Sequence, residues 1–280
     1  MSNHTARTVL VALALALVLT ACGTGEPSAS RPQTTGTRQP PSTAPTQEHE
    51  MRPTPHASSP TPGLAAQAAL DERLRAAAWD NDVVQARRLI RQGADVNAKD
   101  ETEQSAYLIS TSEGYLDLLR LTLRNGARLD DKDSWNGTGL IRAAERGHAL
   151  VVGQLLSAGI DRDHVNRIGY QAIHEAVWLG QDTASCATTV RVLAAGGVEL
   201  DRRSPSADLT PLEMAHQRGY TGLQRILDTV ITAERPTDPD RALLRAAQSG
   251  NADAVSVALR AGARIDARDE HDRTALLLAA

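Results

Sequence analysis

Gly114, Gly147 and Gly180 stand 33 residues apart, and so do Gly93, Gly126 and Gly159. Asn81 lies 33 residues before Gly114, in the same place within its own segment. In the first three units the two series are offset by 12 residues, and the segment between them is apolar at helical spacing. A fixed period of this length limits the fold more than any other feature of the chain. Two short antiparallel helices cannot bury their apolar stripe alone, but stacked copies can. The expectation is an all-α solenoid of helix–turn–helix units. The inter-helix glycines, Gly114, Gly147, Gly180, Gly219 and Gly250, are expected at positive φ, ending each first helix. The second series closes each second helix in the same way. Alanine pairs such as Ala143–Ala144 and Ala246–Ala247 allow close helix approach, and the residues after the second glycine are expected to project as a finger.

Aligned on these glycines, three units end RRLIRQGADVNAKD, LRLTLRNGARLDDKD and VGQLLSAGIDRDHVN. A fourth, VRVLAAGGVELDRR, follows five extra residues at 181–185. A fifth opens LTPLEMAHQRGYTGLQRIL, and a sixth reads RALLRAAQSGNADAVSVALRAGARIDARD. These residues resemble the ankyrin repeat: GADVNAKD at 93–100 is close to the family's ending, Thr210-Pro211-Leu212 to its opening, and Thr138 to Ala144 more loosely so. Ser105 to Leu108 and Gln171-Ala172 depart from that opening. The stretch from Glu145 to Gly180 is also similar to a bacterial exported, lipoprotein-type ankyrin subfamily. The resemblance covers residues 70–280 and implies a scaffold that binds proteins.

The organisation expected is a lipoprotein signal peptide over 1–21, a disordered tether over 22–63, about five repeats over 64–234, a joint over 235–240, and a further unit plus a truncated one over 241–280. Arg7 precedes an apolar run from Val9 to Leu19, which is about 16 Å long as a helix, short for a membrane span but suited to a signal peptide. Leu19-Thr20-Ala21-Cys22 then resembles a bacterial lipobox, in which Cys22 carries the lipid. An ordinary secreted protein, or an uncleaved anchor with a chance cysteine, are the alternatives. Residues 23–63 are rich in Pro, Ser, Thr and Gly and almost devoid of apolar side chains that could offset ordering entropy. As a flexible coil they reach roughly 35 Å. Lipidation leaves Cys186 as the single remaining thiol, read as a small buried apolar residue. At the other end, DRTALLLAA at 272–280 matches the start of a seventh unit, and 241–280 is expected to open a second block whose remainder is absent from this sequence or supplied by a partner. Leu276, Leu277 and Leu278 are then expected to lie uncovered.

The net charge of −4 argues against nucleic acid as a partner. Aromatics make up only 2% of residues and Phe is absent, so the core must be Leu, Val, Ile and Ala. His148 and His174 occupy the ankyrin histidine slots and read as structural. His174-Glu175 opens like a zinc-protease helix, but Trp178 stands where the second histidine is due. Asp131, Asp133 and Gly137 hint at a calcium loop, but Trp135 and Arg142 fall on ligand positions. Asp161 to Asn166 reads as a hydrogen-bonded turn, with a weak metal or ligand contact as the sharper alternative. Arg87, Arg88 and Arg91 read as solvated outer surface. No catalytic set, metal, cofactor or small-molecule substrate is expected.

The function expected is extracytoplasmic protein binding by a chain tied to the membrane through lipid on Cys22, with the partner unknown. Two alternatives remain: a hydrolase-like or metal-dependent enzyme using His164 and neighbouring carboxylates, and an envelope stress or toxin-protection module. The candidate partner-binding residues are the non-pattern side chains of fingers and inner helices: Trp135, Asn136, Arg142, Glu145, His164, Asn166, Arg167, Tyr170 and Trp178. Exposed Trp, Tyr and Arg are common interface anchors; the alternative for Tyr170 and Trp178 is packing between repeats.

Overall fold

The structure, a computed structural model, describes residues 63–280. The expected signal peptide, Cys22 and the tether up to residue 62 lie outside the described residues. The described chain is helical, with only isolated β-bridges at Lys132–Thr138 and Arg268–Thr274. Its helices are α1 (Leu64–Trp79), α2 (Val83–Arg91), α3 (Ala106–Ser112), α4 (Leu116–Arg124), α5 (Gly139–Glu145), α6 (Ala149–Ala158), α7 (Ala172–Trp178), α8 (Ala184–Ala195), α9 (Pro211–Gln217), α10 (Thr221–Thr232), α11 (Pro239–Gln248), α12 (Ala252–Arg260) and α13 (Ala275–Ala279).

First helices α1, α3, α5, α7 and α9 stack in one row and second helices α2, α4, α6, α8 and α10 in another. Local chemistry marks where the helices begin. Asp82, Ser105, Asp238 and Asn251 accept from the backbone N–H three residues on, satisfying a donor no helix turn can reach. Thr210 and Glu213 form a reciprocal capping box, with Pro211 in the first turn. Between the rows lies a core of Leu, Ile, Val and Ala, including the fully buried Ala143 and Ala144.

Four of the fingers share one device; the one before α9 carries Ser204 in that slot, and its hydroxyl has no hydrogen-bond partner. Asp100, Asp133, Asn166 and Asp269 each turn a side-chain oxygen back onto two backbone N–H groups, two and four residues on, at 2.8–3.2 Å. The fourth residue of each of these four then takes positive φ, as Glu103, Asn136, Gly169 and Asp272 do. The Asp or Asn at the first position closes the turn by accepting from the N–H groups on either side of the positive-φ residue.

Positive φ occurs at Gly114, Gly147, Gly219 and Gly250, and at Asn81 in the first unit, but not at Gly180. The expectation for Gly180 is therefore corrected. The five extra residues let the chain leave α7 differently, and Thr183 caps α8 by accepting from Cys186 N at 3.3 Å. Glycine is needed at 180 for space, since a Cβ there would lie 2.0 Å from the Ala176 carbonyl oxygen.

After α10 the stack changes course. The fifth unit has no finger, and α11 does not extend the first-helix row but packs against α12 and α13. Helix α12 lies against both α8 and α10. Helix α8 is thus covered on nearly every side, and Cys186 and the run from Thr188 to Ala194 are buried. Its buried hydroxyls are satisfied within the helix, Thr188 and Thr189 donating to the carbonyls of Ala184 and Ser185. The seam holds charge. Arg191 of α8 pairs with Asp253 of α12 at 2.6 Å, Arg225 of α10 binds the other Asp253 oxygen, and Arg260 donates to the carbonyls of Ala194 and Val198. At α13, Leu276 and Leu278 lean on the core and only Leu277, 62% exposed, is uncovered.

Candidate functional site

The third and fourth units, α5–α6 and α7–α8 with the fingers before them, carry all nine candidate residues. The structure sorts these into three groups. Trp135, Asn136, His164 and Arg167 form a seam between two fingers. Arg167 N donates to Trp135 O at 3.0 Å, Asn136 Nδ2 to Val165 O at 3.0 Å, and His164 Nε2 lies 2.8 Å from Asn136 O. These bonds lock neighbouring fingers together. The Trp135 ring is left 61% exposed, with Ile168, its counterpart 33 residues on, 43% exposed beside the exposed Arg167.

Arg142, Glu145 and Asn166 belong to a second group, on the inner helices and the base of the fingers. Arg142 Nε lies 3.2 Å from Asp133 Oδ2, and its Nη1 2.7 Å from Glu145 Oε2. Asn166 Nδ2 donates to Glu175 Oε1 at 2.6 Å. Glu175 is only 4% exposed, and its other oxygen is buried with no hydrogen-bond partner. Burial, and then the charges of Glu145 and Asp133, push its carboxyl up to about 6, against the Asn166 bond and Arg142. Sequence reasoning missed Asp133 and Glu175 as members of this cluster. A signal was present, because Arg142 and Glu175 occupy the same slot 33 residues apart, as do Asp133 and Asn166.

The third group is aromatic. Tyr170 is 4% exposed, stacked on His174 at 5.7 Å and edge-on to Trp178 at 6.1 Å. It is packing between repeats and offers no ring for a partner to grip, which corrects its place among the surface anchors. Trp178 is half-buried, with the Arg218 guanidinium 4.3 Å from its ring centre. Position explains the difference, because Tyr170 leaves its finger against the opening of α7, and Trp178 lies at that helix's end.

The histidines hold the backbone. His174 is fully buried; its Nδ1 accepts from Gln171 N at 3.3 Å and its Nε2 faces Arg202 O at 3.0 Å. His148 Nε2 lies 3.0 Å from Ser112 O, tying one unit's turn to the next. Burial lowers the pKa of both, which keeps the rings neutral. Cys186 is buried. Among the described residues, no group of three or more His, Cys, Asp or Glu side chains could hold a metal ion, and no helix is long and apolar enough to cross a membrane.

No family model matches the chain. Over 140 residues it is 31% identical to an ankyrin repeat protein, YahD, of Escherichia coli (strain K12), which spans 50% of this chain and 69% of the relative. The crystal structure of an ankyrin repeat domain from Acinetobacter baumannii AYE is similar at a TM-score of 0.53 and 40% identity, covering 55% of this chain and 78% of that one. The ankyrin repeat protein EF0377 is similar at the same TM-score and 33% identity, with the same coverage. The paired helices, the 33-residue period and the fingers agree with these likenesses: the chain belongs to the ankyrin-repeat family.

Proposed function

We propose that this protein is a lipid-anchored, extracytoplasmic scaffold that binds a protein partner through the fingers and inner helices of its third and fourth units and does no catalysis. Ankyrin repeats mediate protein–protein binding, and relatives built from them are typically non-enzymatic binding modules. The observation that carries the reading to these units is the fingertip pair, Trp135 and Ile168, held exposed by hydrogen bonds between their own fingers. A large apolar ring on a rigid support loses little entropy on binding, as hot-spot residues do. The lipid anchor rests on Leu19 to Cys22 and the tether on the composition of 23–63.

Crosslinking in the native envelope tests the binding reading. Trp135→Ala and Arg167→Ala should abolish recovery of one specific partner while melting stays unchanged; recovery equal to the parent's would defeat it. Cys22→Ala should release the chain from membranes or leave an unprocessed precursor, and unchanged fractionation with unchanged mobility would remove the anchor. Against the enzyme alternative stands the His164 ring, whose Nε2 is engaged by a backbone carbonyl.

A further inference from the structure

The polar cluster at the base of the third and fourth fingers is out of balance. It holds three carboxylates, Asp133, Glu145 and Glu175, and one cation, Arg142, whose guanidinium is already bound to Asp133 and Glu145. Glu175 takes one hydrogen bond from Asn166, and its second oxygen is buried without any donor. A buried acceptor left unmatched works against folding, so this side chain is unfavourable to the free protein. A polar group that destabilises a scaffold is expected where it does something else. Glu145 caps the cluster from its half-buried position at the end of α5, and Trp178 stands in the same slot one unit on.

We propose that this cluster is a recognition site of the binding face and takes one cationic side chain, a lysine or arginine, from the protein partner. The charged head would enter beside Glu145 and supply the donor that Glu175 lacks. One added positive charge brings the cluster from a formal −2 to −1. The charged groups facing Glu175 are Asp133, Arg142 and Glu145. Two of these three are carboxylates, so a guest cation favours the ionised form of Glu175. Binding should accordingly weaken as the pH falls from 7 to 5. The proposal rests on the reading of this face as a protein-binding one.

The test titrates the full chain with N-acetyl-arginine amide, N-acetyl-lysine amide and the neutral isostere N-acetyl-citrulline amide. NMR follows the Asn166 side-chain amide and the Glu175 carboxyl. Both cations should give saturable shifts at these groups and lower the Glu175 titration midpoint, and citrulline should do neither. Glu175→Gln and Glu145→Gln should each weaken the cations by about fivefold or more. Glu145 is the control for folding, because its side chain is partly exposed. Equal shifts from citrulline, undiminished binding in both variants, or shifts centred elsewhere overturn the proposal. Failure of the binding reading looks different: the cations still titrate Glu175, but the Trp135→Ala chain recovers its envelope partner as the parent does.

Discussion

Glu175 makes a stability claim at the level of one residue. Its ordinary value of 4.5 is raised to about 6. Between those values the folded chain holds a proton that the unfolded chain has released, so stability falls as the pH rises through that window. The penalty is complete above about pH 6 and absent below about pH 4.5; a shift of this size corresponds to an order of 1–2 kcal/mol. Glu175→Gln should therefore raise the melting temperature at pH 8 and give no gain near pH 4.5, and melting curves at the two pH values check it. Gly114 makes a different kind of claim. It sits at φ +76°, and a Cβ there would lie 2.6 Å from His148 Nδ1. Gly250, at φ +65°, has open space around that position. Gly250→Ala should cost about 1 kcal/mol for backbone strain alone, and Gly114→Ala distinctly more, because the ring must leave its bond to Ser112. Denaturant unfolding of the two variants decides whether the contact matters.

Among the elements, α12 is the one whose position follows least from its own sequence. Its N-cap Asn251 and apolar face specify a helix, but its docking depends on Asp253 meeting Arg191 and Arg225. Removing one partner of a buried pair leaves a charge without compensation, at a typical cost of about 3–5 kcal/mol. Asp253→Ala should expose amides of α11, α12 and α13 to hydrogen exchange while α3 to α7 stay protected. Equal protection throughout would mean that apolar packing alone holds the seam. The fingers behave oppositely. Four of the turns are held by their own Asp or Asn, and Asp100, Asp133, Asn166 and Asp269 could be picked out once the period was known.

For the whole molecule, the first row and the second row imply stability that passes from neighbour to neighbour. Helix α8 breaks the pattern, because it touches α6, α7, α10 and α12. Leu193, fully buried in α8, and Leu74, fully buried in α1, are chemically alike. Leu193→Ala should cost about 2–5 kcal/mol and destabilise both the fourth unit and the α11–α13 block. Leu74→Ala should loosen the first unit alone. Residue-resolved hydrogen exchange separates the two outcomes, and a uniform response to both variants would show that the stack unfolds as one body.

The period by itself determined the pairing of helices, the row in which each lies and the places of most turns, because stacking couples each unit only to its neighbours and every unit repeats the same local chemistry. The resemblance to the ankyrin pattern, and not the period, assigned His148 and His174 their structural roles. Tertiary structure alone decided what depends on surroundings. Tyr170 and Trp135 are both aromatic residues of fingers, and one is buried because α7 lies across it. Glu175 stands out in the sequence only beside His174 in a failed zinc-protease pattern, and its cluster forms once Asp133, Arg142 and Glu145 of the preceding unit are placed against it. The missing finger near 235–240 announced a break, but the direction taken after it was settled by the fit of α12 on α8, a contact between Arg191 and Asp253 across 62 residues that no nearest-neighbour pattern encodes.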